Sequence, residues 1–194
     1  MIAVGSTRAP EQLARKFAGL GDVAIPVIRC RVWDFDAVYS AHFARYGAIP
    51  AALRQAPGTI SELALTWLDA AELTRMHETE ALGFNYDYGI AKGLRLEPEL
   101  GPVPDRVYAY IGHRGYLDHA GAPVALAEVA AEGRTVPALA QEEMQRRVHA
   151  GMGQGTTFEA FVLGNADDEP LRRGRIGELA ETAHPPAHGP FKIL

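Results

Sequence analysis

Cysteine is nearly missing from this chain. Cys30 is the only one in 194 residues. One thiol closes no disulfide within the chain and builds no cysteine-based zinc site. It sits in the alternating run Val27-Ile-Arg-Cys-Arg-Val32, where a small strand residue is the plain reading against a nucleophile. Serine is almost as scarce. Ser6, Ser40 and Ser61 are the only three, and none lies in a Gly-x-Ser-x-Gly elbow, so serine-nucleophile chemistry has no motif to stand on. Long apolar runs are also missing. No stretch approaches the roughly 20 residues that cross a bilayer, and the first residues show no basic segment followed by an apolar one. The expectation is a cytoplasmic protein with no membrane partner.

Positive charge is in deficit as well. The formal net charge is −5 and the isoelectric point is about 5.8, which argues against a nucleic-acid partner, since phosphate binding needs clustered Lys and Arg. Arg172, Arg173 and Arg175 make the one dense basic cluster. They follow Asp167, Asp168 and Glu169, and the group reads as a solvated, self-neutralising surface loop. What remains is an ordinary globular composition, 47% hydrophobic, in a chain of 21.0 kDa that suits one domain with an ample core.

Ile2-Ala-Val4 reads as a short strand ended by Gly5-Ser6. Pro10 and Glu11 then open a helix in which Leu13, Phe17 and Leu20 share a face. Residues 23–39 read as one long strand or two shorter ones. Tyr46 to Leu53 reads as a further strand, with Pro50 at an edge or bulge. Ala56-Pro57-Gly58-Thr59 is a turn signal before a strand from Ile60 to Trp67. Asp69 then caps a helix from Ala70 to about Glu78, with Glu72 at its third position completing a capping box. Strands follow at Tyr86 to Lys92 and Val107 to Ile111. Leu117 to Glu132 holds a Gly-Ala-Pro break and then a short Ala-rich helix, and Val136 to His149 is a second helix. Strands come first and helices lie at the edges, which favours an α+β fold with an antiparallel or mixed barrel-like sheet. One domain spans 1–163. Residues 164–194 form a polar tail, either loosely ordered or docked on the surface or on a partner subunit.

Two sites carry the chemistry. A strand end followed by Val4-Gly5-Ser6-Thr7 presents free backbone N–H groups, which suits an oxygen-rich ligand. Far along the chain, Glu80 ends a helix and precedes the apolar stretch Ala81-Leu-Gly-Phe84. Partial burial there would move its carboxyl toward the working range of a general base. The bland reading is an exposed glutamate like its neighbours Glu72 and Glu78. Other candidates fall away. Gly151-Met-Gly153-Gln-Gly155-Thr156 lacks both the Lys-Ser/Thr ending of a phosphate loop and the dinucleotide spacing, so it reads as a flexible connection. His77, His113, His119, His184 and His188 have no matching ligand set, and no metal or cofactor is expected.

In this order of elements the chain resembles the gamma-glutamylcyclotransferase-like family over about residues 1–112. Val4-Gly5-Ser6-Thr7 stands where family members carry a Tyr-Gly-Ser-Asn loop, and Glu11-Gln12-Leu13 follows it. Pro57-Gly58, the strand from Ile60 to Thr66, the helix from Leu73 to Met76, then Glu80 and Tyr86 continue the match. The resemblance implies a small mixed β-barrel flanked by helices. It implies that the Gly5-Ser6-Thr7 amides grip a substrate oxygen, with Val4 and Tyr86 beside them. It implies that Glu80 is the general acid/base of an intramolecular cyclisation on a small amide, needing no metal or protein nucleophile. Val4 replaces the family's Tyr and Thr7 its Asn, and no tyrosine follows near Pro137, so a changed substrate is expected. The alternative is a catalytically silent member that binds a small ligand or a protein partner. The reading allows an oligomer.

Overall fold

The computed structural model describes residues 1–21 and 23–194. Its strands are β1 (Ile2–Ala3), β2 (Val27–Tyr39), β3 (Ala51–Thr66), β4 (Tyr86–Lys92), β5 (Leu96–Pro98), β6 (Arg106–Gly112), β7 (Asp118–His119), β8 (Ala122–Pro123), β9 (Ala125–Leu126), β10 (Ala131–Glu132), β11 (Ala138–Leu139) and β12 (Lys192–Ile193). Its helices are α1 (Pro10–Lys16), α2 (Ala70–Thr79), α3 (Gln141–Met152), α4 (Phe158–Asp167) and α5 (Glu169–Thr182), with a 3-10 turn at Ser6–Arg8. The protein is α+β. Ten strands form one mixed sheet in the order β11-β9-β2-β3-β1-β6-β4-β12, with β5 on β2 and β10 on β3. Among the described residues no pairing joins the two ends of this order, so the strands make no closed ladder.

The long hairpin of β2 and β3 is the frame. In β2, Cys30 and Val32 point into the core, and after an irregularity between Trp33 and Phe35 the inward set becomes Phe35 and Ala37. Asp34 takes φ 63°, and its carboxylate accepts the N–H of Gly58 at 2.8 Å. The turn signal Ala56 to Thr59 is thereby absorbed as an irregularity inside one 16-residue strand rather than separating two. The expected strand at Tyr46 to Leu53 begins only at Ala51. Residues 44–47 form a turn closed by the Gly47 N–H on the Ala44 carbonyl, with Gly47 at φ 81°, and residues 48–50 run on without regular structure.

Later elements depart further from the sequence reading. Between Leu117 and Glu132 the chain forms the short strands β7 to β10 and no helix. Val124 and Ala125 are fully buried there, so small side chains serve close packing rather than helix propensity. The helix expected from Val136 starts at Gln141, because Ala138 and Leu139 pair with Ala125 and Leu126 as a parallel strand. Arg172, Arg173 and Arg175 are not in a solvated loop but on α5. Arg172 donates to the carbonyls of Asn165 and Ala166, Arg175 donates to the Phe161 carbonyl and the Asn165 side chain, and both guanidinium groups are buried. Only Arg173 behaves as a surface residue, paired with Glu169 one turn away.

Residue 163 lies inside α4. Beyond it, Ile176 and Leu179 pack with Phe43 and Phe161, Phe191 enters the main core, and β12 pairs with β4. No helix among the described residues is long and apolar enough to cross a membrane.

Candidate functional site

β1 is two residues long, yet it lies between β3 and β6. Ile2 is opposite Leu65 on one side and Ala109 on the other. That clamp fixes where the following loop begins. Val4 is buried in the main core, and its side chain is part of the packing rather than a polar contact. The Arg8 N–H donates to Gly5 and the Ala9 N–H to Ser6, at 3.2 and 3.0 Å. The turn therefore closes without using the N–H groups of Gly5, Ser6 and Thr7. The Arg8 guanidinium ties the turn down by donating to the carbonyls of Glu62 and Glu128. A Cβ on Gly5 would lie 3.1 Å from the Ala51 Cβ, so glycine lets this loop sit against β3.

Glu80 arrives from α2. The helix opens on the capping box read from the sequence: Glu72 N–H donates to the Asp69 carboxylate at 2.8 Å, and Asp69 N–H to the Glu72 carboxylate at 2.7 Å. It closes at Glu80, whose N–H donates to the Met76 carbonyl. A carboxylate at this end meets the negative pole of the helix, which is unfavourable without a counter-charge. Lys16, the last residue of α1, supplies it through a direct ion pair. Both side chains are largely withdrawn from water, 15% and 13% exposed. The end of α1 is held in place by Arg75, whose Nε donates to the Lys16 carbonyl at 2.7 Å. Burial lowers the Lys16 amine from its usual 10.5 to about 8.

These parts converge on one cavity of about 530 Å³, a size that suits a small molecule. Val4, Gly5, Ser6, Thr7, Glu80 and Tyr86 all line it. Tyr86 is buried, its hydroxyl donates to the Ala51 carbonyl at 3.2 Å, and burial raises its pKa, so it serves as a fixed wall and not as a free acid. Two of the lining residues that the sequence reading did not name bear directly on the chemistry. Lys16 is one. The other is His42, which lies edge-on to Tyr86 and shares a 2.9 Å hydrogen bond with the Ser40 hydroxyl. Burial, then the charges of Arg114 and His113, lower His42 to about 3, so it is neutral at physiological pH. The available signal was a histidine set between Ala41 and Phe43 just past a strand, in a run too apolar for a surface loop.

The histidines weighed in the sequence do not line this cavity. His77 bonds the hydroxyl of the lining residue Tyr110 at 2.7 Å, and the His113 N–H donates to the carbonyl of the lining residue Asn85 at 3.2 Å. The glycine-rich segment 151–155 joins α3 to α4, with Thr156 donating back to the Gly153 carbonyl. Among the described residues, no three His, Cys, Asp or Glu side chains group as a metal site would require. Chemically, the cavity offers a carboxylate and an amine in contact, free main-chain donors and a neutral imidazole. Comparison of the chain with models of known protein families, with curated proteins and with solved structures found no match.

Proposed function

We propose that the protein is an acid/base enzyme acting on a small amide in the manner of a gamma-glutamylcyclotransferase. The observation that carries this reading is the convergence of Glu80 with the Gly5-Ser6-Thr7 loop on one cavity, although they are over seventy positions apart in the chain. The loop amides would hold a substrate oxygen. Glu80 would take a proton from the substrate's own amine, which attacks the amide carbonyl and closes a ring. Glu80 would then return the proton to the leaving amine. The attack is intramolecular, so positioning replaces a protein nucleophile. In this reading the mixed sheet, open between its two ends, takes the place of the family's barrel and carries the core that β1 to β6 share with Phe191. The site of action would be the cytoplasm, the substrate a small molecule, and no cofactor is required.

The Lys16–Glu80 pair favours a second reading. A carboxylate held by an ammonium group is a weaker base, and a binding protein needs nothing more of it than charge balance. Turnover of a panel of γ-glutamyl amides and related amides or esters separates the two. The enzyme reading expects turnover that Glu80→Gln lowers by about 10²–10⁴-fold with ligand binding retained. No turnover of any member, with binding unaffected by Glu80→Gln, establishes the binding reading instead.

A further inference from the structure

The chain holds 19 Lys and Arg residues, and only Lys16, Lys92 and Lys192 are lysines. Lys92 and Lys192 are exposed on β4 and β12. Lys16 alone is turned inward, on the cavity wall, with its Nζ against the Glu80 carboxylate and 3.9 Å from the Met76 sulfur. For a purely structural pair arginine serves better, because its planar fork grips a carboxylate at two points and never loses its charge. Lysine differs in one chemical respect: it can give up a proton and become a nucleophile. A chain that uses arginine almost everywhere has placed its one inward lysine beside a proton acceptor, in a cavity sized for a small molecule.

We propose that the Lys16 amine is a covalent capture site for a small aldehyde or ketone, with Glu80 as its proton partner. Glu80 first takes a proton from the Lys16 ammonium group. The freed lone pair on Nζ attacks the carbonyl carbon, and the π pair moves onto oxygen. Transfer of a nitrogen proton to that oxygen gives the carbinolamine. Protonated Glu80 then delivers its proton to the hydroxyl. Water leaves with the C–O bonding pair, and the nitrogen lone pair closes the C=N bond. One ammonium and one carbonyl become one protonated imine and one water, with no change of oxidation state. The imine keeps its positive charge beside the restored Glu80 carboxylate, so the ion pair that holds α1 to α2 survives the reaction. The withdrawal of Lys16 from water adds to this geometry: an amine near 8 has an unprotonated fraction at neutral pH larger than that of an exposed lysine by roughly a hundredfold or more. This inference shares Glu80 as proton carrier with the reading above but not its amide chemistry.

The test incubates the full chain near neutral pH with propionaldehyde or pyruvate, reduces any imine with sodium cyanoborohydride, and maps the modified amine by peptide mass. The mapping resolves Lys16 from Lys92, Lys192 and the α-amine. Lys16 is expected to label about tenfold faster, or more, than either exposed lysine. Lys16→Arg keeps the charge beside Glu80 and abolishes the adduct on that peptide. Glu80→Gln slows capture by about tenfold or more, since water loss then lacks its acid. Labelling of Lys16 no faster than that of Lys92 and Lys192, in protein whose circular dichroism is native, overturns the proposal. Capture that is unchanged or faster in Glu80→Gln overturns the part given to Glu80. The readout is an adduct and not amide turnover, so a failure here and a failure of the amide reading are told apart directly.

Discussion

The carboxylate of Asp36 and the guanidinium of Arg134 meet in a two-point ion pair, 2.8 Å at each oxygen, and Asp36 has no exposure to solvent. The same guanidinium donates to the Val129 carbonyl, and the carboxylate also accepts from the Ser61 hydroxyl and the Ala37 N–H. One pair therefore staples the long hairpin to the segment carrying Val129, which lines the cavity.

Removing one partner strands the other charge in the interior. Asp36→Ala or Arg134→Met alone is expected to cost about 3–5 kcal/mol in denaturant unfolding, while the double variant recovers a large part of that loss. Amide exchange should quicken around residues 129–134 in either single variant. Single variants within about 0.5 kcal/mol of the parent would show that the pair holds nothing.

His42 sets a pH dependence whose sign follows from its lowered pKa. The unfolded chain binds a proton on this ring at about 6.5, whereas the folded protein holds off until about 3. Between these values the unfolded state carries more protons, so stability falls as the pH drops, by up to about 1.4 kcal/mol per pH unit for this one group. Above 6.5 the slope vanishes and the stability from this group is fully present. His42→Gln should flatten the stability curve over that window, whatever its effect at neutral pH. An unchanged slope would mean that the ring takes up a proton in the folded state.

The elements that carry the candidate site were legible in the sequence where they depend on local signals. The Asp69/Glu72 capping box fixes where α2 begins, and Glu80 follows as its C-terminal cap. Gly5-Ser6 ends β1 where the apolar run stops. What was not legible depends on partners distant in the chain. Lys16 carries no local signal of a site, and its place on the cavity appears only when α2 is laid beside α1. Arg172 and Arg175 read as solvated charge until the carbonyls of Phe161, Asn165 and Ala166 turn toward them. Ala138 and Leu139 carry helix propensity, yet pairing with Ala125 and Leu126 makes them a strand. The break at Pro57-Gly58 is a sound turn signal that the long hairpin overrides by pairing on both sides of it.

Gly5 is expected to resist enlargement for a packing reason. Its hydrogen already points at the Ala51 Cβ, which a new Cβ would approach to 3.1 Å. Gly5→Val should push the loop off β3 and cost about 1–3 kcal/mol. Ala51→Gly in the same protein relieves the contact and should restore part of the loss. Thermal midpoints of the two variants decide it. If Gly5→Val melts like the parent, the loop is not pinned at this point.

If the protein acts on an amide as proposed, Thr7 bears on its substrate choice. Val4 is committed to the core, so of the two departures from the resembling family's loop only Thr7 is free to change what the cavity offers. A threonine hydroxyl gives one donor and can accept, whereas asparagine offers an acceptor and two donors, one donor more. Each net hydrogen bond to a ligand is worth about 1 kcal/mol, or roughly fivefold in affinity. The native protein should therefore act weakly on simple γ-glutamyl amino acids and better on a bulkier or less polar amide or ester. Thr7→Asn should raise kcat/KM for γ-glutamyl-alanine by about fivefold and leave the less polar substrates nearly unchanged. Kinetics of both proteins on both kinds of substrate test this. If γ-glutamyl-alanine is already the best substrate of the native protein, and Thr7→Asn does not improve it, the hydroxyl at this position is neutral for recognition.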